Sequence, residues 1–91
     1  MEKQLQDVVS EAMSKSGTKG VLCADVQGLS LISTGSLEPP AAATISQIST
    51  IAAAMDPSAK LEAVTLHYNK STIIIHQQDL LTVGVHTTTQ L

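Results

Sequence analysis

Residues Lys19 to Gly35 read KGVLCADVQGLSLISTG, and the fold turns on how that stretch is paired. Two short runs of aliphatic and small residues, Val21 to Ala24 and Leu29 to Ile32, flank Asp25-Val26-Gln27-Gly28. Asp bonds its own backbone readily in turns, and Gly takes positive φ without penalty, so the segment is expected to be a β-hairpin.

Upstream of the hairpin, Leu5, Val8, Val9, Ala12 and Met13 recur at i, i+3, i+4, i+7 and i+8. That period predicts an amphipathic helix over 2–14 with one apolar stripe. Its polar side carries Glu2, Gln4, Asp7 and Glu11 and few bases, which suits packing on a sheet better than lying on an anionic bilayer. Ser16-Gly17 then stops the helix.

Downstream, Pro39-Pro40 suits a first helical turn, and residues 40–55 are rich in alanine, with Ile45, Ile48, Ile51 and Met55 among them. Ala41, Ile45, Ile48, Ala52 and Met55 form one stripe, and Thr44, Ile51 and Ala54 lie beside it. Between its ends this helix has no charge. Two readings follow: a core helix in an aliphatic domain, or a helix buried on two sides, against its own sheet and against a second protein. Asp56-Pro57 ends it.

The last third reads as three strands, Leu61 to His67, Thr72 to His76 and Leu80 to His86. The first alternates as an edge or half-exposed strand does. Tyr68-Asn69-Lys70-Ser71 supplies a turn, with Asn69 suited to the left-handed conformation. Ile73-Ile74-Ile75 and Leu80-Leu81-Thr82-Val83 are apolar on both faces, as in central strands covered above and below. Two helices and five strands predict an α+β sandwich: a five-stranded antiparallel sheet with one helix on each face, in the order α-β-β-α-β-β-β, as one domain over 1–91.

Bulk properties narrow the function. The chain has 91 residues, 43% of them hydrophobic and 1% aromatic, so its core is aliphatic and thin and gains from a partner that covers more of it. A formal net charge of −3, with five lysines and no arginine, opposes phosphate backbones and argues against nucleic-acid binding. A single cysteine, Cys23 among Val21, Leu22 and Ala24, is expected to be a buried thiol in a reducing, cytoplasmic setting. Neither a signal peptide nor a membrane span is legible, so direct membrane insertion is not expected.

Four constellations invite a chemical reading. Cys23, Asp25 and His86 supply the residue types of a thiol nucleophile, an orienter and a base, yet two of them sit within strands and no glycine-rich turn offers an oxyanion hole. His67, His76 and His86 are spaced nine and ten residues apart, which matches no common metal motif. Ser16-Gly17-Thr18-Lys19-Gly20 is glycine-bearing but connects helix to strand, the reverse of a phosphate loop. Asn69-Lys70-Ser71 fits the glycosylation acceptor rule, which matters only in a secreted chain. No catalytic residue, metal or cofactor is expected.

The segment GVLCADVQGLSL at Gly20 to Leu31, with Gly35, Leu37 and TVGVH at Thr82 to His86, resembles the roadblock/longin-related family of small dimerising domains, and within it the small fifth-subunit family of the Ragulator complex. The element order is similar along nearly the whole chain. Many roadblock domains continue into a C-terminal helix, for which only Thr87 to Leu91 remain here; Pro39-Pro40 and Ser58 to Leu61 also depart from the family pattern.

What this resemblance implies is a non-enzymatic, heterodimeric scaffold subunit at the lysosomal surface. In such a complex, roadblock heterodimers are wrapped by a lipidated scaffold subunit, hold Rag-type GTPases, and support amino-acid signalling to the target-of-rapamycin kinase complex. Pairing with a second roadblock-like subunit would join helix to helix and edge strand to edge strand. The resemblance places Ile45, Ile48, Ile51, Ala52 and Met55, together with Ala63, Val64, Thr65 and Leu66, at or behind that interface. Two alternatives remain: a homodimeric roadblock light chain acting as a motor-cargo adaptor, and a small thiol enzyme using Cys23 and His86.

Overall fold

The computed structural model describes residues 2–88. Elements follow in the order α1 (Glu2–Met13), β1 (Thr18–Ala24), β2 (Ser30–Gly35), α2 (Ala41–Met55), β3 (Ala63–His67), β4 (Ser71–Gln78) and β5 (Leu81–Thr88). The five strands form one sheet, ordered β2-β1-β5-β4-β3, in which every neighbouring pair is antiparallel. Among the described residues no helix follows β5. The expected α+β arrangement, with a helix on each face, is thus the one observed.

The hairpin forms for the reasons legible in its turn. Asp25 accepts the N–H of Gln27 at 2.9 Å and of Leu29 at 3.0 Å through one carboxylate oxygen, and Gly28 takes φ 86. Cys23 pairs with Ile32 and Ala24 with Ser30, so a bulge lies between Cys23 and Ala24. An extra residue of this kind sharpens the local twist next to the turn.

Strand alternation divides the core in two. On one face Val21, Cys23 and Val83 pack with Leu5, Leu81 and the α1 residues Val8, Val9 and Ala12. On the other, Leu22, Ala24 and Ile75 pack with Leu37, Ala42 and Ile45, and Ile48, Val64, Leu66 and Ile73 extend the cluster. The second half of β1 is sealed on both faces: Val21, Leu22, Cys23 and Ala24 are each 0% exposed.

Both helices stop where their stripes run out of sheet. Met13, expected in the apolar stripe of α1, is 38% exposed, because it lies in the final turn. Pro40 enters α2 with helical dihedrals, φ −60 and ψ −21, and the N–H groups of Ala41 and Ala42 donate to the carbonyls of Glu38 and Pro39. Met55, in the same sequence stripe as Ile45 and Ile48, is 83% exposed in the last turn of α2.

Three further expectations need correction. β3 begins at Ala63 rather than Leu61, while β4 and β5 each run longer than their apolar centres. Leu80 is not a strand residue: Gln78 pairs with Leu81, which leaves Asp79-Leu80 as a two-residue turn. The left-handed backbone expected at Asn69 is found instead at Asp79, φ 58, the one non-glycine residue with positive φ among those described.

The cover expected over both faces of β4 also needs correction at Ile74. Ile75 is 1% exposed under α2, but Ile74 is 37% exposed on the opposite face. The two helices differ in how much of the sheet they cover. α1 sits mainly over β1 and β2, whereas α2 touches all five strands.

Candidate partner interface

The outer surface of α2 is the first candidate. Its sequence, AAATISQISTIAAAM, holds no ionisable side chain. Ala42, Ile45 and Ser49 point into the sheet and are buried. Ile48 and Ala52 are half-buried on the flank, while Ile51 is 65% exposed and Met55 83%. A solvent-facing helix surface without charge leaves apolar area in water that a partner would remove.

β3 supplies the second part. It is the last strand of the sheet and pairs only with β4, from Ala63↔His76 to His67↔Thr72, so its other edge is free for strand addition. Val64 and Leu66 face α2 and are half-buried, and Ala63 and Thr65 face the other way and are exposed. The nine residues singled out from the sequence therefore divide into three sets. Ile45 lies in the core beneath the surface; Ile48, Ala52, Val64 and Leu66 bridge core and surface; Ile51, Met55, Ala63 and Thr65 are exposed.

Sequence reasoning missed a second surface. Val8, Ala12, Ile74 and Val85 line a groove of about 420 Å³ beside α1, with Glu11, Lys15 and His76 at its margins. The only signal for it was indirect: three consecutive isoleucines need cover on both faces, and a single short helix serves the whole of that face.

The residues considered for catalysis are not brought together. Cys23 faces α1 and is 0% exposed, and burial raises its thiol pKa, which disfavours the reactive thiolate. His86 lies on the α2 face of β5, where its Nδ1 and the Ser36 hydroxyl share a hydrogen bond of 2.6 Å. Burial, and then the nearby Lys19 ammonium, lower the pKa of His86. The Asp25 carboxylate is occupied by the turn it organises. His67 and His76 alternate onto the α1 face, opposite His86, so the three imidazoles do not converge. Ser16 and Gly17 connect α1 to β1, with Thr18 to Gly20 already in the strand, and Asn69-Lys70 lies between β3 and β4, which begins at Ser71.

Comparisons with known proteins agree with this geometry. The family model described as Ragulator complex protein LAMTOR5 matches residues 1–87. Ragulator complex protein LAMTOR5 of Xenopus laevis is 37% identical over 91 residues, covering 98% of this chain and 99% of the relative. The LAMTOR5 homolog of Nematostella vectensis is 34% identical over 87 residues, covering 94% and 96%. Among solved structures, the gliding protein MglB of Thermus thermophilus superposes with a TM-score of 0.77 at 13% identity, covering 94% of this chain and 72% of that one. A Roadblock/LC7 domain of Streptomyces avermitilis gives 0.74 at 14% identity, covering 89% and 75%. Those structural likenesses establish the fold, and the sequence matches along almost the full length establish the family: the chain belongs to the LAMTOR5 family of Ragulator complex subunits, built on the roadblock fold.

Proposed function

We propose that this chain acts as a non-enzymatic scaffold subunit whose working surface is the outer face of α2 together with the free edge of β3. The observation that supports this most is the adjacency of an uncharged helix, with Ile51 and Met55 exposed, to an unpaired edge strand. Pairing there with a second roadblock-like subunit would continue the sheet through β3 and bury the helix surface. The whole chain acts as one roadblock-like unit in this reading.

Further partners follow from family membership. A wrapping, lipidated scaffold subunit would hold the heterodimer at the lysosomal surface and has the groove between α1 and β4 available for an apolar segment. Rag-type GTPases would be engaged through the assembled complex, which supports amino-acid signalling to the target-of-rapamycin kinase complex. Attachment to the membrane would be peripheral and through partners; among the described residues no helix is long and apolar enough to cross a bilayer.

Pull-down with the second roadblock-like subunit tests the pairing surface. Ile51→Asp should abolish capture, while the same charge at Gln6, exposed on α1, should leave it intact. Equal capture of both variants refutes the assignment. Light scattering of the purified chain distinguishes the heterodimeric reading from a homodimeric light chain, which would be dimeric alone at micromolar concentration.

A further inference from the structure

The β1–β2 and β4–β5 turns stand side by side at one end of the sheet, because Ala24 pairs with Thr82. Each turn holds an aliphatic side chain in solvent: Val26 is 72% exposed and Leu80 76%. Between them is a cleft of about 130 Å³, walled on the α2 side by Ser46 and Thr50, with Thr82 also lining it. One water occupies about 30 Å³ of liquid, so the space takes a side chain and not a helix.

The two turns are built differently. Asp25 holds the first rigid through two backbone N–H groups. The second keeps Asp79 at φ 58, in the left-handed region that Asp tolerates in turns, and places Leu80 beside it at the tip. Two-residue hairpin tips normally carry glycine or small polar residues, so the exposed Leu80 at this tip departs from what folding alone favours. Exposed aliphatic groups flanking a small cleft have the form of an anchor site.

Charge indicates what the cleft would accept. Asp79 is the charged residue in its lining, and no lysine joins it among the described residues. One oxygen of Asp79 accepts Gln4 Nε2 at 2.9 Å, and a carboxylate has lone pairs for further donors. We propose that this cleft docks a segment of another protein in which an aliphatic side chain stands next to a lysine or arginine. The aliphatic group enters between Val26 and Leu80, and the cation meets Asp79. None of these three residues belongs to the α2 and β3 pairing surface, so the two assignments stand or fall separately.

The probe is the peptide acetyl-Gly-Leu-Arg-Gly-amide, titrated into the methyl-labelled full chain. Saturable NMR shifts are expected at Val26 and Leu80, and should vanish in Leu80→Ser, whose folding is checked by the rest of its spectrum. Asp79→Asn should weaken the arginine peptide by up to about fivefold, the upper end for an exposed ion pair, and leave acetyl-Gly-Leu-Gln-Gly-amide unchanged. Absence of saturable shifts, shifts centred away from the two turns, or equal affinity for a Leu-Glu peptide overturns the proposal.

Discussion

Ile45 of α2 rests directly on Gly84 of β5: a Cβ at Gly84 would stand 3.1 Å from Ile45 Cδ1 and 3.7 Å from its Cγ2. A Cβ there would require the tip of Ile45 to give by a few tenths of an ångström, and a bulkier side chain would press harder on α2. Ile45→Ala should destabilise the chain by about 2–5 kcal/mol, through lost burial and the cavity left behind. Gly84→Val should cost about 1–3 kcal/mol or more by overpacking. Urea denaturation of the two variants measures both effects.

Met55 gives the contrasting case, since it belongs to the same helix but is 83% exposed. Met55→Asp should change folding stability by no more than about 0.5 kcal/mol, as surface substitutions usually do. Its effect should fall on partner binding, read by isothermal titration with the second roadblock-like subunit. A variant that binds normally would remove Met55 from the interface.

Asp25 organises the hairpin from an accessible position, with one oxygen accepting two backbone N–H groups. Asp25→Ala should cost about 1–2 kcal/mol, the scale of one or two such bonds, and Asp25→Asn should recover most of it. Thermal melts of the three chains decide the point.

His86 should make stability depend on pH. Its folded pKa is held below the ordinary imidazole value of about 6.5, first by burial and then by Lys19. The unfolded chain therefore takes up this proton first as pH falls. Stability should be full above the unfolded value and decline as the pH drops toward the folded one. Lys19→Gln should move the His86 midpoint upward in an NMR titration and shrink that decline.

Cys23 should report unfolding. It is 0% exposed, and burial raises its thiol pKa. Alkylation by iodoacetamide should proceed only through opening of the α1 face, and should accelerate when Val83→Ala loosens that cluster. Rapid labelling of the native chain would instead point to a reactive thiol and revive an enzymatic reading.

Much of this was legible in the sequence because it depends on neighbours along the chain. The 3.6-residue period around Leu5, Val8 and Ala12 specified a helix, Asp25 and Gly28 specified the turn, and the uncharged run of α2 marked a second apolar face before any contact was known. The family signature in Gly20 to Leu31 and Thr82 to His86 added the kinship. Tertiary structure decided what depends on position in space. Ile74 and Ile75 are the same residue type in the same strand, yet one is exposed and one sealed, because α1 lies mainly over β1 and β2 on one face while α2 reaches all five strands on the other. Met13 and Met55 likewise fit their stripes but overhang the sheet at the helix ends. The order β2-β1-β5-β4-β3, which makes β3 an edge and sets Val26 beside Leu80, arises from pairing between segments distant in sequence, and no local pattern encodes that.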